Sequence, residues 1–258
     1  MIKLAVWILL LCALAYVSFS IFLYLRQRSL IFYPHPAVSS SEAEIIWLEN
    51  GGERLKVWHV PRGSRTALIY FGGNAEDVSL NLSRFKTLFP DLSLYLMNYR
   101  GYGGSSGRPT EAGLFSDSRA LYDHISAAYK SIIIMGRSLG TAIAVHLAAH
   151  TPADGLILVT PYSSMVDLAR YYYPFLPVGW LLKDRFDATQ EAADIAVPVL
   201  VLTAEHDEVI PASVSEKLVD SFASETVQMH IIEGTFHNSI DSGSGYEERL
   251  ADFIERLD

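Results

Sequence analysis

The sequence predicts an α/β fold, a mostly parallel sheet with helices on both faces. Three observations predict it. Beyond an N-terminal apolar run, short apolar segments alternate with helical ones, the pattern of repeated strand–helix units. One of those segments, Ser131-Ile132-Ile133-Ile134-Met135, runs through Gly136-Arg137-Ser138-Leu139-Gly140 into the small-residue helix Thr141 to Ala149, so that strand, sharp turn and helix follow without a break. Half of the 258 residues are hydrophobic, enough for one α/β domain with an extra segment.

The extra segment is N-terminal. Leu4 to Leu25 contains no charged residue, and roughly 20 apolar residues cross a bilayer. A cleaved signal peptide has a shorter apolar core of about 7–15 residues, whereas here the run continues through Ile21-Phe22-Leu23-Tyr24-Leu25. Residues 1–28 are therefore expected to form an uncleaved single-pass membrane anchor, and residues 29–258 one domain. Cys12 lies in the anchor behind Leu11, where a lipoprotein signal requires a small residue. It is the only cysteine, so no disulfide forms within the domain. Lys3 and the amino terminus on one side balance Arg26 and Arg28 on the other, and assign no orientation.

Two early strands, Glu44 to Leu48 and Leu55 to Val60, are expected as an antiparallel edge. The strand Ala67 to Phe71 ends in Gly72-Gly73-Asn74-Ala75. Glycines there let the backbone come close to a substrate, and the N–H groups of Asn74 and Leu139 are expected to form an oxyanion hole. Gly101-Tyr102-Gly103-Gly104-Ser105-Ser106-Gly107 is a glycine-rich loop on the site side of the sheet. It fails the dinucleotide pattern, because Ser106 takes the last glycine place, and no P-loop lysine follows.

Gly136-Arg137-Ser138-Leu139-Gly140 in its strand–helix setting reads as a nucleophile elbow with Ser138 as nucleophile. Its partners follow in order. The strand Val197 to Thr203 leads into a loop with three acids, Glu205, Asp207 and Glu208, of which Asp207 is preferred. The strand Val227 to Ile232 leads into Glu233-Gly234-Thr235-Phe236-His237-Asn238 before a C-terminal helix, Tyr246 to Leu257. His237 would take the proton of Ser138, and Asp207 would fix the imidazole and stabilise its charged form.

Residues 164–194, between the sixth strand and the acid-bearing strand, are expected to form a short helical lid. Its Tyr171, Tyr172, Phe175, Leu176 and Trp180 are candidates for lining an acyl pocket, against the plainer reading of ordinary helices packed on the sheet. His146 and His150 lie four apart on a helix, but Leu147 stands where a zinc protease motif carries glutamate, so they read as surface or helix-end histidines. No metal or organic cofactor is implied. A net charge of −9 without a basic stripe argues against a nucleic-acid partner.

Taken together these residues resemble the α/β-hydrolase superfamily and, within it, the membrane-anchored Bem46-type serine hydrolases, a group that includes eukaryotic protein depalmitoylases. The likeness spans nearly the whole chain. It includes Leu30-Ile31-Phe32-Tyr33-Pro34, Asn98 to Ser105, the Ser138 elbow, Tyr173-Pro174-Phe175-Leu176-Pro177, Lys183-Asp184-Arg185-Phe186-Asp187 and His206 to Pro211. The resemblance places the acid and the base at Asp207 and His237. The sequence departs from that group where His-Gly-Asn-Ala-Gly is usual and Gly72-Gly73-Asn74-Ala75-Glu76 stands instead. Glu76 and Asp77 bring negative charge near the expected oxyanion hole. The implied activity is cleavage of carboxylic esters or thioesters, on a small-molecule or lipid-linked acyl substrate, through an acyl-enzyme. A serine peptidase or acyltransferase on the same fold, or a non-enzymatic membrane scaffold, are the alternatives.

Overall fold

The computed structural model describes residues 1–223 and 227–257. Its strands are β1 (Glu44–Asn50), β2 (Glu53–Val60), β3 (Thr66–Phe71), β4 (Ser93–Met97), β5 (Ser131–Arg137), β6 (Gly155–Val159), β7 (Val199–Ala204) and β8 (Val227–Ile232). They form one sheet in the order β1-β2-β4-β3-β5-β6-β7-β8. β1 and β2 pair antiparallel and β2 meets β4 antiparallel, while β3 to β8 are mutually parallel. The expected antiparallel edge and parallel body are both present.

Helices cover both faces: α2 (Leu82–Leu88), α3 (Glu111–Ile125), α4 (Leu139–His150), α5 (Met165–Tyr172), α6 (Val178–Leu181), α7 (Thr189–Ala192), α8 (Ala212–Val219) and α9 (Tyr246–Glu255). Strand side chains alternate between faces, and the core divides accordingly. Ile132, Ile134, Leu156 and Leu158 pack on one side with α3 and α4. Ile133, Met135, Ile157 and Val159 pack on the other with α2 and α9. Both faces being covered, β4, β6 and β7 are buried along their whole length and read as unbroken apolar runs rather than alternating ones.

Strand order decides where a site can form. From β3 the chain turns to β4 on one side, then crosses back to β5 on the other. The crevice outside the carboxyl ends of β3 and β5 is therefore the topological switch point, the usual binding position in open α/β sheets.

The N-terminal helix, α1, spans Ile2–Ile31. Among the described residues it is the one helix long and apolar enough to cross a membrane, with a mean hydropathy of 2.5 in its best window. It continues past Arg26 and Arg28 because side chains at that end dock on the domain. The Arg28 guanidinium grips Asp184 (Nε to Oδ2, 2.7 Å), whose side chain is only 3% exposed. Asp184 also accepts the N–H of Glu111 at the start of α3, and the Glu111 carboxylate accepts the N–H groups of Arg185 and Phe186. The segment Lys183 to Asp187 is thus the joint between α1, α3 and the 164–194 segment, which folds as three short helices, α5 to α7.

Candidate active site

Ser138 sits in the turn between β5 and α4 with φ +48° and ψ −115°. A non-glycine residue there is strained by roughly 1–3 kcal/mol. The turn is closed by backbone bonds, the Ser138 N–H to the Val159 carbonyl and the Thr141 N–H to the Ser138 carbonyl. Both flanking glycines are required by space. A Cβ on Gly136 would strike the carbonyl of Gly140, and a Cβ on Gly140 would strike the carbonyl of Phe71 at the end of β3. Gly140→Ala should therefore cost about 3 kcal/mol, the upper range for overpacking, and show as a lowered thermal midpoint. Gly63→Ala, where the added carbon meets nothing within 4 Å, is the control and should leave the midpoint in place.

The structure brings Ser138, His237 and Asp207 together. His237 Nε2 lies 3.0 Å from Ser138 Oγ, and His237 Nδ1 lies 2.9 Å from Asp207 Oδ2 and 3.0 Å from Oδ1. Asp207 is itself held by the N–H groups of Val209 and Ile210, which donate to Oδ1. With Nδ1–H donating to Asp207, a neutral imidazole presents Nε2 as an acceptor to the serine hydroxyl. His237 is 5% exposed, so the pair is largely shielded from water. The other two acids of the loop have different partners. Glu208 Oε2 accepts the backbone N–H of His237 at 3.0 Å, and Glu205 Oε2 accepts that of Gly234 at 2.7 Å. Both hold the histidine loop, and neither touches the imidazole.

The Gly72 to Glu76 turn stands beside Ser138: a Cβ on Gly73 would lie 3.6 Å from the Ser138 Cβ. Neither the Asn74 nor the Leu139 N–H donates to another group among the described residues, and both residues line the cleft that contains Ser138. The Asn74 side chain ties the turn to the end of α1. Its Nδ2 donates to the Ile31 carbonyl, and its Oδ1 accepts the Tyr33 N–H and the Tyr102 hydroxyl. Leu30 to Pro34 and the glycine-rich Asn98 to Ser105 loop, motifs without an evident role in the sequence, meet at this one side chain.

Glu76 does not project a bare charge at this turn. Its carboxylate accepts from the Gly73 N–H, the Tyr70 hydroxyl and Asn81 Nδ2, with Arg137 Nη1 at 3.7 Å. Burial alone would push the Arg137 guanidinium down, but the Glu76 carboxylate and further acidic groups around it hold it above its ordinary value, so Arg137 stays charged opposite Glu76. Arg137 also donates to the His237 carbonyl at 3.4 Å, linking the oxyanion turn to the histidine loop. Asp77 caps the following turn through Ser79. Gly72 replaces the more usual histidine where Val78 leaves no room for a Cβ.

Ser138 opens into a cleft of about 830 Å³ whose walls are mainly apolar. Of the five candidate pocket residues, Tyr172 and Leu176 line it, while Tyr171, Phe175 and Trp180 do not. Those three are 59%, 65% and 90% exposed, so the pocket placement expected for them is corrected. On α5, Leu168, Ala169 and Tyr172 fall on one helical stripe facing the cleft, which turns Tyr171 outward. The opposite wall is unexpected from the sequence: Phe19, Phe22, Leu23, Leu30 and Ile31 of α1. His146 and His150 are not in the cleft. The His146 ring stacks on Phe115 at 3.9 Å, with Nδ1 2.8 Å from Glu191 Oε1, and His150 Nδ1–H donates to the His146 carbonyl.

The family described as serine aminopeptidase, S33, matches residues 85–185 and 181–241. An uncharacterized protein of Mycobacterium tuberculosis (strain ATCC 25618 / H37Rv) is 35% identical over 232 residues, covering 84% of this chain and 82% of that one. Protein bem46 of Schizosaccharomyces pombe is 31% identical over 209 residues, 76% of this chain and 69% of that one. The alpha/beta hydrolase domain-containing protein WAV2 of Arabidopsis thaliana is 27% identical over 242 residues, 83% and 79% of the two chains. Among solved structures, the Pyrococcus furiosus esterase Pf2001 superposes with a TM-score of 0.71 at 14% identity, over 88% of this chain and 98% of that one. A monoacylglycerol lipase of Paleococcus ferrophilus gives 0.63 at 16% identity, over 79% and 99%. At such identities the solved structures speak for the fold.

Proposed function

This chain belongs to the serine aminopeptidase S33 family of α/β hydrolases, and from that premise we propose that it is a membrane-anchored serine hydrolase that cleaves carboxylic esters or thioesters. One observation carries the reading: the Ser138–His237–Asp207 chain of contacts, 3.0 Å and 2.9 Å long, at the floor of an apolar cleft. Ser138 Oγ attacks the acyl carbon while His237 Nε2 takes its proton. The oxyanion that forms is met by the N–H groups of Asn74 and Leu139. When it collapses, the bond to the leaving group breaks and His237 returns the proton to the leaving oxygen or sulfur. Water, deprotonated by the same nitrogen, then releases the acid from Ser138. Asp207 keeps Nδ1–H in place and stabilises the imidazolium in both halves.

An aminopeptidase is the closest rival, given the family's description. Such an enzyme needs a carboxylate for the substrate's ammonium group. Glu208 is the one acid among the residues that line the cleft, whose walls are otherwise mainly apolar, which favours the acyl reading. Labelling with a fluorophosphonate, followed by a panel of esters, thioesters and aminoacyl amides, tests it. Labelling with ester turnover is the expected result, and turnover confined to aminoacyl amides would replace it.

The anchoring part of the proposal is supported by α1, whose outward surface is apolar. The protein should stay with membranes through high-salt and alkaline washes, since apolar burial is not screened by salt. Release by either wash, with α1 intact by mass, would remove the anchor.

A further inference from the structure

The position of α1 makes it more than a tether. Tyr16, Ser20, Leu23 and Gln27 fall on one stripe at helical spacing, and that stripe docks on the domain. The Tyr16 hydroxyl donates to the Phe175 carbonyl, Leu23 packs against Val166, Leu176 and Val178, and Gln27 donates to the Leu181 carbonyl while accepting the Lys183 N–H. Beside this stripe Phe19, Phe22 and Leu30 face the cleft that contains Ser138.

The lid runs alongside the same helix. From Tyr16 to Gln27 the helix rises about 16 Å. If Leu4 to Leu25 fills the hydrocarbon, Tyr16 lies about 14 Å inside Leu25, close to one leaflet of a bilayer roughly 30 Å thick. The tip of the lid, at Phe175, lies at that depth. Its composition suits it: Tyr171 to Leu182 contains no charged residue, and Tyr171, Phe175 and Trp180 point outward. Irregular backbone in hydrocarbon must satisfy its own polar groups. Here the N–H groups of Tyr173, Leu176, Val178, Trp180, Leu181 and Leu182 pair within the lid or α5, while those of Phe175 and Gly179 have no hydrogen-bond partner among the described residues. Pro174 and Pro177 have no N–H, and Tyr16 takes the Phe175 carbonyl. At the other end, Lys183 sits over the Tyr24 ring at 4.1 Å, a charge and an aromatic together where headgroups begin.

We propose that α1 is one wall of an acyl-binding site, and that the cleft is filled sideways from the bilayer by the long acyl chain of a membrane lipid ester. The proposal rests on the hydrolase reading for its chemistry, and adds the substrate class and the residues that select it. Phe19 and Phe22 are the specificity determinants. The exposed lid aromatics, outside the cleft, seat it in the leaflet from which the chain comes.

The full-length protein in dioleoylphosphatidylcholine vesicles tests this with 4-methylumbelliferyl palmitate and acetate. Each methylene of the acyl chain buried against α1 favours binding roughly fourfold, so loss of two aromatic walls should be felt by the long chain. Phe19→Ala with Phe22→Ala should lower the palmitate-to-acetate ratio of kcat/KM by roughly tenfold or more. Leu9→Ala with Leu10→Ala, on the same helix but outside the cleft, should leave that ratio in place. For the wild type, diluting the palmitate ester with more phospholipid at constant bulk concentration should slow turnover. An unchanged ratio in the first variant, an equal fall in both, or a rate that ignores phospholipid dilution overturns the proposal. If the wild type hydrolyses neither ester, the hydrolase reading fails by itself. The acyl site is then decided by a photoreactive diazirine palmitic acid on the same vesicles. Adducts on Phe19 to Ile31 and on the lid that excess palmitic acid abolishes uphold it, and adducts that resist competition, or none, overturn it.

Discussion

Replacing Ser138 with alanine should reduce ester turnover by roughly 10⁶-fold, the loss measured when the nucleophile of a serine protease is removed, and should abolish fluorophosphonate labelling. Oγ is the atom 3.0 Å from His237 Nε2, and without it the imidazole has no hydroxyl to deprotonate. The fold should be undisturbed, because the turn is held by the backbone bonds of Ser138 N–H and C=O and by the glycine contacts, none of which uses the side chain. A second substitution separates chemistry from stability. At φ +48° alanine keeps the strain of serine, whereas glycine has no Cβ to strain. Ser138→Gly should therefore be as inactive as Ser138→Ala but more stable than it by about 1 kcal/mol, visible as a higher thermal midpoint. Residual labelling of the alanine variant at full strength would move the nucleophile elsewhere. Equal midpoints for the two would mean that the turn is not strained.

Much of this was legible in the sequence because it rests on local rules. The parallel strands announce themselves as apolar runs, and the glycines around Ser138 are fixed by contacts one residue type can satisfy. The order of Ser138, Asp207 and His237 follows from each standing at the end of its own strand. The choice of Asp207 over Glu205 and Glu208 was a preference in the sequence. In the structure it becomes a matter of contacts, since those two acids bind backbone N–H groups instead. The charge on Glu76 looked adverse from its position alone, and only the approach of Arg137, Tyr70 and Asn81 shows where it is directed.

The walls of the cleft were legible only in part, at Tyr172 and Leu176, for a physical reason. An apolar residue facing lipid and one facing a pocket have the same composition, so the 171–180 aromatics looked like lining and Phe19 and Phe22 looked like membrane. A signal was nevertheless present. Tyr16, Ser20 and Gln27 are polar positions that share one face of α1, and Tyr16 and Gln27 bond to the lid there. In hydrocarbon a polar side chain seeks a partner, and such a stripe marks where the helix meets protein rather than lipid. Asn74 shows the same limit from another side. Its place at the oxyanion turn could be read from the glycines, but its bonds to Ile31, Tyr33 and Tyr102 join three segments far apart in the chain.

Asp207→Asn should lower kcat by about 10⁴-fold with little change in the fold, as the corresponding change does in a serine protease. The carboxylate accepts Nδ1–H of His237 through both oxygens and faces the charge that develops on the ring. An amide in its place offers an N–H to Nδ1, which moves the ring proton to Nε2 and leaves nothing there to accept the Ser138 hydroxyl. It also removes the negative charge that stabilises the imidazolium. The neighbouring acids give the contrast. Glu208→Gln keeps an oxygen for the His237 N–H, and Glu205→Gln keeps one for Gly234, so each should cost less than about tenfold, the order of one neutral-for-charged hydrogen bond. Measuring kcat for the three variants on one soluble acetyl ester, with thermal midpoints alongside, decides between them. A loss at Glu208→Gln as large as at Asp207→Asn would mean that positioning of the histidine loop, and not the Asp207 charge, governs the reaction. A small loss at Asp207→Asn with an unchanged midpoint would remove Asp207 as the group that orients His237 and stabilises its charge.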